Sequence, residues 1–117
     1  MNIAKKNIDF GCAVCAAKRG QRIARAGWNG KGMFVFIRPA DQLDVHTIVE
    51  RVKSLPQSVK DFFKEKYPLT HPIADVTQLP VVHFGEYFCM YAADGSIVNG
   101  WLASQTDMLA TDWCILD

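Results

Sequence analysis

Between residues 21 and 37 the chain must reverse direction. Asn29-Gly30 stands inside the run Gly27-Trp28-Asn29-Gly30-Lys31-Gly32, with apolar segments on both sides. Asn and Gly both accept positive φ, so this pair between two apolar segments is a strong hairpin signal. It predicts a strand over residues 21–26 with Ile23 inward and Arg22 and Arg25 beside it. It also predicts a buried strand over residues 33–37, stopped by Pro39. Asp94-Gly95 is a second tight turn, leading from residues 86–92 into Ile97-Val98. Val81–Phe84 and a final strand, Trp113–Leu116, add to what is read as a small, largely antiparallel sheet.

The helical signals lie between these strands. Asp9 is placed to cap a helix with Phe10, Val14 and Ala17 on one face, and Gly20 to end it. Val45, Ile48, Val49 and Val52 fit a helix starting near Asp44. Pro56 breaks it and opens another, with Val59, Phe62 and Phe63 on one side. Ser104-Gln105-Thr106-Asp107 has capping-box spacing and opens a short helix through Ala110. The fold class that follows is α+β, with helices packed on one side of the sheet. The chain of 117 residues is the size of a single domain, 1–117, within which 41–85 reads as an insertion of two helices and a proline-rich loop over 68–80.

The net charge of +1 gives no global field demanding a polyanion. Its distribution is uneven: residues 1–31 carry +6 and the remainder −5. A basic half suits an anionic ligand or a salt-bridged interface with the acidic half, while Lys5, Lys6 and Lys18 equally suit a solvated helix face. No recognition helix with clustered arginines points to DNA. No segment has the length of a membrane span, and residues 1–6 lack the apolar run of a signal peptide. The expected location is therefore cytoplasmic, with Cys12, Cys15, Cys89 and Cys114 reduced.

Catalytic patterns are weak. Cys12-Ala13-Val14-Cys15 has CxxC spacing but lies within a predicted amphipathic helix, without a second CxxC. Cys89 and Cys114 could complete a zinc set in principle; small buried thiols explain the cysteines better. His46, His71 and His83 are scattered, and no HExxH, P-loop or GxGxxG occurs. No catalytic residue, metal or cofactor is assigned.

Ligand binding has more to recommend it. Trp28 and Trp101 sit beside glycines and polar residues. Such rings can stack on a base or plug the end of a core. Ser104, Gln105, Thr106 and Asp107 open a helix whose free N–H groups suit phosphate, although Asp107 would repel an anion. Arg22, Arg25, Asn29 and Lys31 could supply compensating donors.

Arg25–Phe34, Asp94–Val98 and Trp101–Trp113 also resemble the Thoeris anti-defence two family of small phage and prophage proteins. The resemblance covers roughly residues 9–38 and 86–117. It implies a binding protein that is not an enzyme: a sponge holding a cyclic ADP-ribose isomer (glycocyclic ADP-ribose) intact and so keeping a defence effector silent. Some members also take cyclic di- or trinucleotides. It further implies a homotetramer with pockets between protomers. On that reading Trp28 or Trp101 stacks on adenine. Arg25, Lys31 and the backbone near Ser104 contact pyrophosphate, while Asn29, Gln105 and Asp107 contact ribose hydroxyls, with Thr106 in the same helix-opening turn. The 41–85 segment is longer than the usual connection of the short family members, and Gly100 precedes Trp101 near a place where many relatives carry proline.

Two other classes remain open at this point. A phosphodiesterase acting on the same signal would need a metal cluster or an acid–base pair. A protein-binding inhibitor could present Val45, Ile48, Val52 and Phe62 to a host protein, or those residues could pack on the chain's own sheet.

Overall fold

The computed structural model describes residues 3–68 and 80–116. The chain divides into two compact units, Met1–Pro39 with Glu86–Asp117, and Ala40–Gly85.

The first unit is a six-stranded antiparallel sheet. Its strands are β1 (Ile3–Ile8), β2 (Arg22–Arg25), β3 (Phe34–Arg38), β6 (Tyr87–Tyr91), β7 (Ile97–Asn99) and β8 (Trp113–Leu116), in the order β1-β8-β2-β3-β6-β7. The last strand thus lies between the first two. Arg22 faces Leu116, and Ile23, Ala24 and Arg25 follow against Ile115, Cys114 and Trp113. All four residues of β8 are buried, which its unbroken apolar run Trp-Cys-Ile-Leu makes favourable. Asn29 and Gly30 both take positive φ, 60° and 65°, in the β2–β3 connection. Asp94-Gly95 turns β6 into β7, with Gly95 at φ 88° and its N–H on the Ala92 carbonyl at 2.9 Å.

Helix α1 (Phe10–Lys18) covers one face of this sheet, and Asp9 caps it by accepting from the Cys12 N–H at 2.8 Å. Its buried residues are Ala13, Ala16 and Ala17, while Phe10 and Val14 are only half-buried. The inward face is therefore rotated from the expected Phe10–Val14–Ala17 stripe. Three alanines let the helix axis approach the sheet closely, and Phe10 reaches sideways to Trp113, ring centroids 5.2 Å apart. Ile23, Val35, Met90, Trp113 and Ile115 complete the core beneath it. In β3, only Val35 is fully buried; Phe34, Phe36 and Ile37 are half-buried.

Strand β1 was not expected from the sequence. Lys5 and Lys6 interrupt any apolar alternation, and Asn7 takes φ 58° within the second of two shifts of register against β8. Charge and irregularity suit an edge strand, which needs one paired side only.

The second unit holds β4 (Asp41–Asp44) paired antiparallel with β5 (Val81–Phe84), followed in sequence from β4 by α2 (Val45–Arg51) and α3 (Gln57–Lys66). β4 likewise has no strand signature in its sequence, Asp-Gln-Leu-Asp. Asp44 ends β4 and caps α2 through the Thr47 N–H at 2.8 Å. Helix α2 ends at Arg51, ahead of Pro56, and Val52 is its extended cap. Pro56 is the N-cap of α3. Val45 and Ile48 are fully buried, so they present no face to a host protein; Phe62 is 55% exposed and does not face inward with Val59. Of the predicted loop over 68–80, residues 69–79 lie outside the described residues, and His71 with them.

Among the described residues, no helix is long and apolar enough to cross a membrane.

Candidate functional site

Arg25 ends β2 and turns its side chain toward the segment that precedes β8. Its Nε donates to Asp112 Oδ1 at 2.8 Å, and its Nη1 donates to Asp107 Oδ1 at 2.8 Å. Nη2 lies 3.4 Å from Asp112 Oδ2, which also accepts the Gly27 N–H at 2.8 Å. One guanidinium thus spans two carboxylates, as its planar fork permits and a lysine ammonium does not. The Arg25 hydrogen bond holds Asp112 below the usual carboxylate range, against a smaller opposing push from burial. Burial pushes Asp107 upward, but the hydrogen bonds from Arg25 and Ser104 outweigh it, and the net shift is downward. Asp112, and then Asp107, raises Arg25 in turn.

Asp107 has a second duty. Helix α4 (Gln105–Leu109) opens with a complete capping box: Ser104 N–H donates to Asp107 Oδ2 at 3.2 Å, and Asp107 N–H donates to Ser104 Oγ at 3.0 Å. The Asp107 carbonyl then accepts the Trp113 indole N–H at 2.8 Å. α4 is therefore tied to the core through Trp113 and to β2 through Arg25.

The three tryptophans form one cluster. Trp113 is fully buried. Trp28 meets it edge-on at 5.3 Å and meets Trp101 edge-on at 6.2 Å; Trp101 lies 6.4 Å from Trp113. Edge-to-face packing at these separations is favourable for aromatic rings. Trp28 and Trp101 are half-buried, so each plugs the core with part of its ring and leaves part accessible.

A cleft of about 300 Å³ opens beside Trp28. Arg25, Trp28 and Lys31 line it together with Gly30 and Gly32, over an apolar floor that includes Ala24, Cys114 and Leu116. The fold thus brings together three of the residues proposed from sequence. Trp101 joins them through its contact with Trp28. Asn29 is exposed at the turn in a left-handed conformation, and Gln105 and Thr106 are exposed in the first turn of α4; none of these three lines the cleft. Ser104 and Asp107 are engaged with each other.

Two residues of this site went unassigned from sequence. Asp112 carries the principal partner bond of Arg25. At Gly27, a Cβ would come within 2.9 Å of Asp112 Oδ2, so this position admits no larger residue without a shift of the carboxylate. Neither has a local signature, because the contact that defines it spans more than eighty residues.

The cysteines correct another expectation. Cys89 and Cys114 are buried, as small core thiols should be, whereas Cys12 and Cys15 are exposed. The alanine face of α1 points inward and leaves the CxxC pair on the outer side. Among the described residues, no group of three or more His, Cys, Asp or Glu is arranged to hold a metal ion.

Residues 8–116 match the family described as the Thoeris anti-defense 2-like domain. The chain is also similar to "Thoeris anti-defense 2" of Bacillus phage SP01, at 32% identity over 113 residues, which covers 96% of this chain and 98% of that relative. The match spans both the sheet with its Arg25 clamp and the 41–85 segment, and by it the chain belongs to the Thoeris anti-defense 2 family.

Proposed function

We propose that this protein counters a Thoeris-type defence by sequestering its cyclic nucleotide signal, a cyclic ADP-ribose isomer, without chemical change. The observation that carries the reading is the cleft in which a half-buried indole, an exposed lysine and a glycine-rich turn meet over an apolar floor. Trp28 offers a surface for a base, and Lys31 a charge for phosphate. Gly30 and Gly32 leave the backbone open to close approach, since nothing lies within 4 Å of a Cβ at either. Arg25 acts one step back: its clamp on Asp107 and Asp112 holds the cleft wall and the start of α4 in register.

The cleft's volume sits at the small end for ligand pockets, roughly 300–1,000 Å³. A ligand with two phosphates and two riboses would project from it. A second copy closing over the projecting part, as in a homotetramer with shared pockets, would strengthen each charge-assisted bond by excluding water.

Isothermal titration calorimetry against glycocyclic ADP-ribose, with linear ADP-ribose as control, tests this. Tight binding of the cyclic form, followed by its intact release on heat denaturation, is the expected result. Recovery of a cleaved ligand would replace the sponge with a phosphodiesterase. Failure of the cyclic ADP-ribose isomer to bind would turn the titration to cyclic di- and trinucleotides.

A further inference from the structure

Where α1 meets β1 and β8, a second cleft of about 460 Å³ is lined by both exposed cysteines of α1. Lys5, Asp9, Arg19 and Ile115 help to line it. We propose that Cys12 and Cys15 form a thiol–disulfide exchange site for anionic low-mass disulfides of the glutathione class, with Cys15 as the entry nucleophile and Cys12 as the resolving thiol. This goes beyond the ligand cleft and does not depend on it.

The geometry supports a closable but strained pair. Residues three apart on a helix have Cα atoms about 5 Å apart, from the rise and radius of the helix. Disulfides accept roughly 4.4–6.8 Å at that distance. The Cβ atoms are about 5–6 Å apart in a regular helix, however, and a relaxed disulfide wants about 3.8 Å. Closing the bond therefore pulls the first turns of α1 out of regular geometry. An exposed, strained disulfide is the labile kind, formed and reopened by exchange.

The surroundings assign the two roles. Asp9 accepts the Cys12 backbone N–H and interacts with its thiol, raising Cys12 above the usual thiol value. Cys15 lies one turn further from Asp9 and four residues before Arg19, a spacing that shares one helix face. Lys5 and Arg19 border the same cleft and suit the carboxylates of a glutathione-type disulfide. The Cys15 thiolate attacks one sulfur of RSSR, forming Cys15–S–SR and expelling RS⁻. The Cys12 sulfur then attacks Cys15, forming the Cys12–Cys15 bond and expelling the second RS⁻. The two thiol protons end on the two departing thiolates. The pair loses two electrons, and RSSR gains them as two RSH. Buried Cys89 and Cys114 take no part.

Incubation of the native protein with oxidised glutathione, followed by intact mass and fragment mapping, tests the assignment. Wild type should lose two hydrogens, both from the fragment holding residues 10–18, and regain them in reduced glutathione. Cys12→Ser should stop at a mixed disulfide on Cys15. Cys15→Ser should react at Cys12 roughly tenfold more slowly. Three results would overturn the proposal: Cys15→Ser reacting as fast as wild type, Cys89 or Cys114 reacting as fast as the pair, or an inert native protein whose urea-unfolded chain reacts fully.

Discussion

Arg25 and Asp112 stand 87 residues apart in the chain, and their side chains meet at 2.8 Å. The contact joins the end of β2 to the residue that leads into β8, alongside the Ala26 N–H on the Asp112 carbonyl at 3.0 Å. Arg25 reaches Asp107 with its other arm, so a single side chain sets the spacing of β2, α4 and β8.

Arg25→Ala leaves two carboxylates near each other with their shared cation gone. A loss of about 2–3 kcal/mol in folding stability is expected, read as a lower urea midpoint with unchanged slope. Arg25→Lys should recover only part of it, since an ammonium cannot fork between Asp107 and Asp112. A midpoint equal to wild type in Arg25→Ala would show the clamp to be energetically idle.

Acid should weaken the same clamp. Asp107 and Asp112 both titrate below the ordinary value of 3.8 when folded. The unfolded chain therefore takes up protons first, and stability from these groups is complete above that value and lost as pH falls through the folded values. Urea midpoints measured downward from about pH 6 should fall less steeply for Asp112→Asn than for wild type. Parallel curves would refute this linkage.

Gly27 and Asp112 should be coupled. Gly27→Ala places a Cβ 2.9 Å from Asp112 Oδ2 and should destabilise the wild-type protein by about 1–3 kcal/mol. In an Asp112→Ala background the obstructing oxygen is absent, and the same substitution should cost little. Additive losses in the double-mutant cycle would mean that the close approach is not the reason for glycine there.

Lys31 and Trp28 should separate binding from folding. Lys31 is exposed, so Lys31→Ala should leave the melting temperature unchanged, weaken nucleotide binding roughly tenfold and flatten its salt dependence. Trp28→Ala removes an edge of the aromatic cluster as well, so both binding and melting temperature should fall. Calorimetry paired with thermal unfolding distinguishes the two; unchanged affinity in either variant removes that residue from the site.

Several elements were readable because their causes are local. Asn29-Gly30 takes positive φ at both positions, and Ser104 with Asp107 completes a capping box, because each depends on side chains within a few residues of one another. Asp9 and Asp44 announce their helices for the same reason. β1 and β4 were not readable, because a lysine-bearing edge strand and a four-residue polar strand owe their state to a partner strand far along the chain.

The family resemblance in the motifs around Trp28 and Trp101 was likewise present in the residues themselves, and so was the α+β class with its antiparallel sheet. Tertiary structure alone decided what those residues do to one another. It turned Arg25 from a free cation into a clamp, set three tryptophans edge to edge, and rotated α1 so that alanines face the core and cysteines face outward. The physical reason is range: turns and caps are settled by hydrogen bonds within one or two turns of chain, whereas burial and ion pairing depend on which distant surfaces meet.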